Sequence, residues 1–168
     1  SYHIIYKNNQ MKQRLSALSK ETRCYIMSAI MVFEGFNGVD AMTETRGEMS
    51  LDVLGLSKED IMSFPMPEYS QIISHLKIIN DPEVRHFILS NTYLPVLRSQ
   101  KADAYRAFKQ FCSDLKWSSS EVKESMELTE QISDIKPLYN ITSSSKSGCL
   151  TVIVFAILSS TLLAFTVI

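Results

Sequence analysis

The sequence predicts an all-α protein, a compact helical bundle of about seven helices with a C-terminal transmembrane helix. Three observations carry that prediction. Apolar residues recur at steps of three and four through most of the first 136 positions, the period of an amphipathic helix. Helix-start signals, Ser-x-x-Asp/Glu and Asp-Pro-Glu, punctuate those stretches, and nothing alternates with period two for long enough to make a strand. The last twenty residues, 149–168, carry no charge at all. As a helix they cover roughly 30 Å, the hydrocarbon thickness of a bilayer.

Taken in order, residues 1–9 read as a flexible lead-in and 10–136 as the bundle domain. Over 10–33, Met11, Leu15, Leu18, Tyr25, Ile26, Ala29, Ile30 and Phe33 keep helical spacing, as one helix or as two with a break at Leu18-Ser19-Lys20. Glu34-Gly35-Phe36-Asn37-Gly38 is a breaker cluster and predicts a turn. A helix resumes near Ala41 with Met42, Met49, Leu51, Val53 and Leu54 available for burial, and Gly55 stops it. Ser57 caps the next start, with Asp60 in place of the usual Glu of a capping box. Phe64-Pro65-Met66-Pro67 then interrupts the helical pattern. Ile72, Ile73, Leu76 and Ile79 mark a helix over 68–79. Asp81 as N-cap, Pro82 at the first helical position and Glu83 in the first turn open the next helix. That helix carries Val84, Phe87, Ile88 and Leu94, and Pro95 is expected to kink or end it. Tyr105, Phe108, Phe111, Cys112 and Leu115 define a helix over 102–115. Ser118 and Glu121 form a full Ser-x-x-Glu box before a helix through Val122, Met126 and Leu128 that reaches about Ile135. Pro137 ends it, and 137–148, with its Ser-rich run before Gly148, reads as a flexible linker.

The terminal segment 149–168 is read as the transmembrane helix, with Cys149, Val152, Phe155, Leu158, Leu162 and Phe165 in the membrane. Its hydroxyls (Thr151, Ser159, Ser160, Thr161 and Thr166) can bond back to helix carbonyls, so lipid tolerates them. The competing reading, a buried core helix, is disfavoured because core helices in small domains rarely run so long without a charge. Ala156, Ser159, Ser160 and Ala164 allow close helix–helix contact and a homo-oligomer through this helix; lipid-facing filler explains them equally well. Cys149 is a boundary residue, open to palmitoylation or mere filler. The polar opening residues make no secretory signal, and Lys136 and Lys146 flank the bundle side, so the expectation is a single-pass membrane protein with its domain facing the cytoplasm.

The chain also repeats itself. Leu54, Ser57 and Ile61 align with Leu115, Ser118 and Val122 at a separation of 61 positions, and the same shift carries Ala41 onto Ala102. Two similar helical units, each covering the other's apolar face, would give a pseudo-symmetric bundle; chance similarity of two capped helices is the alternative.

Those residues resemble the TerB-like domains of the tellurite-resistance family. Asn37-Gly38-Val39-Asp40-Ala41-Met42-Thr43-Glu44 is similar to the family's first turn, and the residues from Leu54 to Asp60 are similar to its next helix junction. Asp81-Pro82-Glu83 and Leu115 to Glu121 are similar to its second half. The likeness covers about 20–132. It implies a stress- or defence-linked role, and in the family the turn acids suggest a divalent cation. This chain departs from that pattern. Asn37 replaces the leading Asp, the second unit places Arg98 and Ser99 where Asp-Gly would stand, and Tyr105 stands where Glu44 does. The fold is therefore carried over and the metal site is not. Asp40 and Glu44 are left as candidate ligands, against the plainer reading of a solvated acidic helix start favoured by the dipole.

Little else carries chemistry. His3, His75 and His86 have no ligand spacing, and Cys24 and Cys112 lie within apolar stripes as core thiols. Three scattered cysteines make no disulfide framework, and a net charge of −1 gives no electrostatic case for nucleic acid. Trp117 reads as core or half-buried packing rather than a binding platform. No enzyme, cofactor or metal is expected. The function expected is a membrane-tethered interaction or scaffold subunit of a larger membrane-associated assembly, its partners the membrane and other protein subunits. The alternative is a tail-anchored, Bcl-2-like regulator of apoptosis binding partner helices. Size, helix count and tail agree with that alternative; the repeat does not, and no Asn-Trp-Gly-Arg-like motif is present.

Overall fold

Two helices packed on each other form the centre of the described bundle, one of them buried along most of its length. The computed structural model describes residues 2–38 and 41–138, with no account of the side chains of 2–8 and 41–42. Among them are eight α-helices, one 3-10 turn and no strand: α1 (Tyr2–Ser16), α2 (Lys20–Glu34), the turn Gly35–Asn37, α3 (Ala41–Leu54), α4 (Lys58–Met62), α5 (Tyr69–Leu76), α6 (Pro82–Ser99), α7 (Ala102–Leu115) and α8 (Ser119–Ser133). Every residue of α2 from Cys24 to Glu34 is buried, and α2 packs on α6 at the centre. Around this pair, α1 lies on α3 and α6, α5 lies on α7 and α2, and α8 runs along α6.

The sequence signals act locally as physics requires. Ser19 Oγ accepts the Thr22 amide at 3.0 Å and starts α2 after the break. Asp81 Oδ1 accepts the amides of Glu83 (2.9 Å) and Val84 (3.4 Å), with Pro82 at the first helical position of α6. Gly55 stands at φ +62° after α3, and the Leu56 amide closes on the Leu51 carbonyl at 2.9 Å. Arg23 reaches over from α2 to bond the Leu54 carbonyl at 2.7 Å, satisfying an orphan acceptor of that helix end.

Four local expectations change. The first helix begins at Tyr2 rather than Gln10, because no Gly or Pro before Met11 stops it from extending back. Of the two outcomes expected at Pro95, a kink or an end, the end does not occur: α6 continues to Ser99. A proline inside a helix costs about 3 kcal/mol. Val96 and Leu97, both fully buried beyond it, each contribute about 1.5–3 kcal/mol and outweigh that cost. Met49, taken as available for burial, is exposed. The Ser118 box is only half closed: Glu121 donates its amide to Ser118 Oγ (3.2 Å), but its carboxylate faces Arg85 Nη1 at 3.4 Å instead. The Ser57–Asp60 box, the one with the unusual acid, closes in both directions.

The 61-residue repeat survives as geometry. Helices α3 and α7 have the same length and sit at that separation end to end, as do the starts of α4 and α8. Exchanging α1–α4 for α5–α8 turns the α1–α3 and α1–α6 packings into α5–α7 and α5–α2, and the α2–α3 packing into α6–α7. The linker beyond 138 and the proposed membrane segment, with Cys149, Val152, Phe155, Leu158, Leu162 and Phe165, lie outside the described residues. Among the described residues, no helix is long and apolar enough to cross a membrane.

Candidate functional site

A concavity lies alongside α8. Both α7 and α8 lean on α6. A groove of about 760 Å³ opens between them, within the size range of protein ligand sites. Its lining includes Tyr93 of α6, Phe108 and Cys112 of α7, and Trp117, Val122 and Met126. Tyr93 and Phe108 pack with ring centroids 4.8 Å apart, and Tyr93 is 1 % exposed. The Tyr93 hydroxyl donates to Glu130 Oε1 at 2.8 Å. Burial, then this carboxylate, pushes the phenol's pKa far up, so it stays a neutral donor. Burial pushes the Cys112 thiol up to about 12, which makes it an inert wall rather than a nucleophile.

Two charged contacts at the groove are made within the bundle. Lys123 pairs with Glu127 at 3.7 Å along α8, and Glu130 holds the Tyr93 hydroxyl. Trp117 is 8 % exposed, as a packing residue should be, with the Arg85 guanidinium 5.5 Å over its ring. Its indole N–H finds no acceptor among the described residues, although an acceptor is the rule for a buried indole. No apolar stripe in the sequence reveals this groove, because its two walls lie on different helices. The clue available was the absence of proline between Ser118 and Ile135.

The candidate metal turn lies against the C-terminal part of α6, near Pro95. Asp40 lies outside the described residues. Glu44 faces Lys58 Nζ at 3.9 Å, which also holds Glu48 at 3.0 Å. The hydrogen bond to Glu48 holds the Lys58 ammonium above its ordinary pKa. Cations crowd the turn: Lys101 Nζ donates to the Phe36 carbonyl at 2.7 Å. Burial first, and then the neighbouring Arg46, hold the Arg98 guanidinium below its usual pKa. Among the described residues no three acids, histidines or cysteines are grouped to hold a metal.

Beside that turn is a pair that sequence patterning does not reveal. Glu34, 7 % exposed at the end of α2, accepts Arg46 Nε at 3.0 Å and Nη2 at 3.1 Å. A lone acid ending an apolar run was the available signal, and the breaker cluster absorbed it. Asn37 Nδ2 donates to the Pro95 carbonyl at 3.0 Å and fastens the turn to α6. The histidines are structural where their side chains are described. His75 stacks on Tyr25 with centroids 3.8 Å apart, and His86 Nδ1 shares a 2.7 Å hydrogen bond with Ser125 Oγ.

The groove can therefore bury an uncharged apolar body, and the turn is a braced corner. Compared with known family models, curated proteins and solved structures, the chain matches none.

Proposed function

We propose that this chain is a membrane-tethered helical interaction module, a scaffold subunit of a larger membrane-associated assembly with its bundle on the cytoplasmic side. The observation that carries this reading is the uncharged run 149–168 set behind a domain whose buried apolar core, among the described residues, draws on Leu15 to Trp117. A run of that length without a charge can span a bilayer as a helix, so lipid suits it as a solvent. Confinement to a surface raises the effective concentration of the domain for partners on the same membrane.

The interchange of the two helical halves supports a TerB-like architecture, and with it the stress- or defence-linked role. The groove between α7 and α8 favours a second reading, a tail-anchored regulator that receives a partner helix there.

Alkaline carbonate extraction of membranes tests the tether. The full chain is expected to stay with the bilayer, and a chain ending at Leu138 to be released. Release of the full chain refutes the reading.

A further inference from the structure

The groove and the apolar run belong to one chain, and the route between them is short. Helix α8 ends at Ser133, Asp134 turns out of it at φ +55°, and Pro137 forms part of the groove wall. The chain therefore passes position 138 at the groove itself. Eleven Cα–Cα steps then lead from Leu138 to Cys149. Extended, they reach up to about 36 Å, against roughly 22 Å for the whole length of α8. That is enough to turn back and lay the run between α7 and α8.

Chemistry selects the same occupant. The run is uncharged from end to end. The groove is walled by Phe108, Cys112, Val122 and Met126, with Lys109, Lys123, Glu127 and Glu130 at its margins; Lys123 faces Glu127 and Glu130 holds the Tyr93 hydroxyl. The apolar wall between these charges suits an apolar segment, which displaces only water there. A tethered segment also competes at high effective concentration, on the millimolar scale for short linkers. Left in water, the fifteen apolar residues of this run would be a far larger exposed patch than soluble proteins carry.

We propose that, away from lipid, the segment 149–168 folds back into the groove between α7 and α8 of its own chain. This rests on the tether reading only in that the same residues are the ones assigned to the bilayer; the two resting places exclude each other.

Amide hydrogen exchange on the full chain, dispersed without detergent, tests it against a chain ending at Leu138. Amides of α7 and α8 are expected to exchange at least tenfold more slowly in the full chain, with α3 and α4 unchanged. The full chain bearing Met126→Lys, which places a charge in the groove, is expected to exchange at the rate of the shortened chain. Equal rates in the two unsubstituted chains, or sedimentation of the full chain as aggregate, overturns the proposal.

Flotation with phosphatidylcholine vesicles separates this from the tether. Failure to float with protection intact defeats the tether and leaves the fold-back standing. Flotation by a chain that shows no protection in water defeats the fold-back alone.

Discussion

The two halves of the molecule begin alike and end differently. Helices α3 and α7 share their length, and each is followed by a residue in the left-handed region, Gly55 at φ +62° and Lys116 at φ +57°. An apolar residue comes next, Leu56 or Trp117, and then a capping serine, Ser57 or Ser118. From there they part. Helix α4 stops at Met62, just ahead of Phe64-Pro65-Met66-Pro67, while α8 meets no proline until Pro137 and runs to Ser133. The long α8 lies along α6; α4, at five residues, covers about 7.5 Å. In these two units the start signals coincide, and the proline pair after α4 accompanies the shorter helix and the smaller covered surface. The long α8 supplies one wall of the groove.

A second asymmetry is the Glu34–Arg46 pair, since the same shift from Glu34 lands on Pro95. Breaking a buried pair from one side leaves a charge with no partner. Glu34→Ala is expected to cost about 3 kcal/mol in urea unfolding, and the double variant with Arg46→Met to cost less than that single change. Equal costs would mean that the corner is held by packing instead.

The caps give the next effect. Ser57→Ala and Ser118→Ala are each expected to lose about 1 kcal/mol, with Ser57 the larger because its box closes in both directions. The reverse order in thermal unfolding would show that Glu121 supports the α8 start by way of Arg85.

The left-handed residues sharpen the comparison further. Lys116→Gly is expected to stabilise by about 0.5–1 kcal/mol, by relieving a side chain at positive φ. Gly55→Ala should do the opposite, since its Cβ would also stand 3.1 Å from Arg23 Nη1. A neutral Lys116→Gly would mean that the lysine stem contributes packing there.

The smallest effect is titration. Ser19 opens α2 and cannot titrate; Asp81 opens α6 and can. Burial raises the Asp81 pKa, but the Arg14 guanidinium at 2.8 Å and the amides of Glu83 and Val84 outweigh it and hold the group below the usual carboxylate range. A depressed folded-state pKa contributes stability above the unfolded value of about 3.9, and that stability is lost as pH falls through the folded one. Both side chains are partly exposed, so the amount is under about 1 kcal/mol. Asp81→Ser is expected to flatten the acid limb of stability between about pH 5 and 2; an unchanged limb would assign it to other carboxylates.

Local chemistry alone determined much of this protein: the bounds of α3 and α7, the caps at Ser57, Asp81 and Ser118, the stop at Gly55 and the 61-residue repeat. These depend on contacts a few residues apart, and a sequence displays such contacts directly. Only the tertiary structure decided that α6 passes through Pro95, that Glu121 turns to Arg85, that Glu34 is buried against Arg46, and that α7 and α8 leave a groove. Each of those depends on what a distant helix places alongside, where burial worth a few kcal/mol overrides a local preference worth about one.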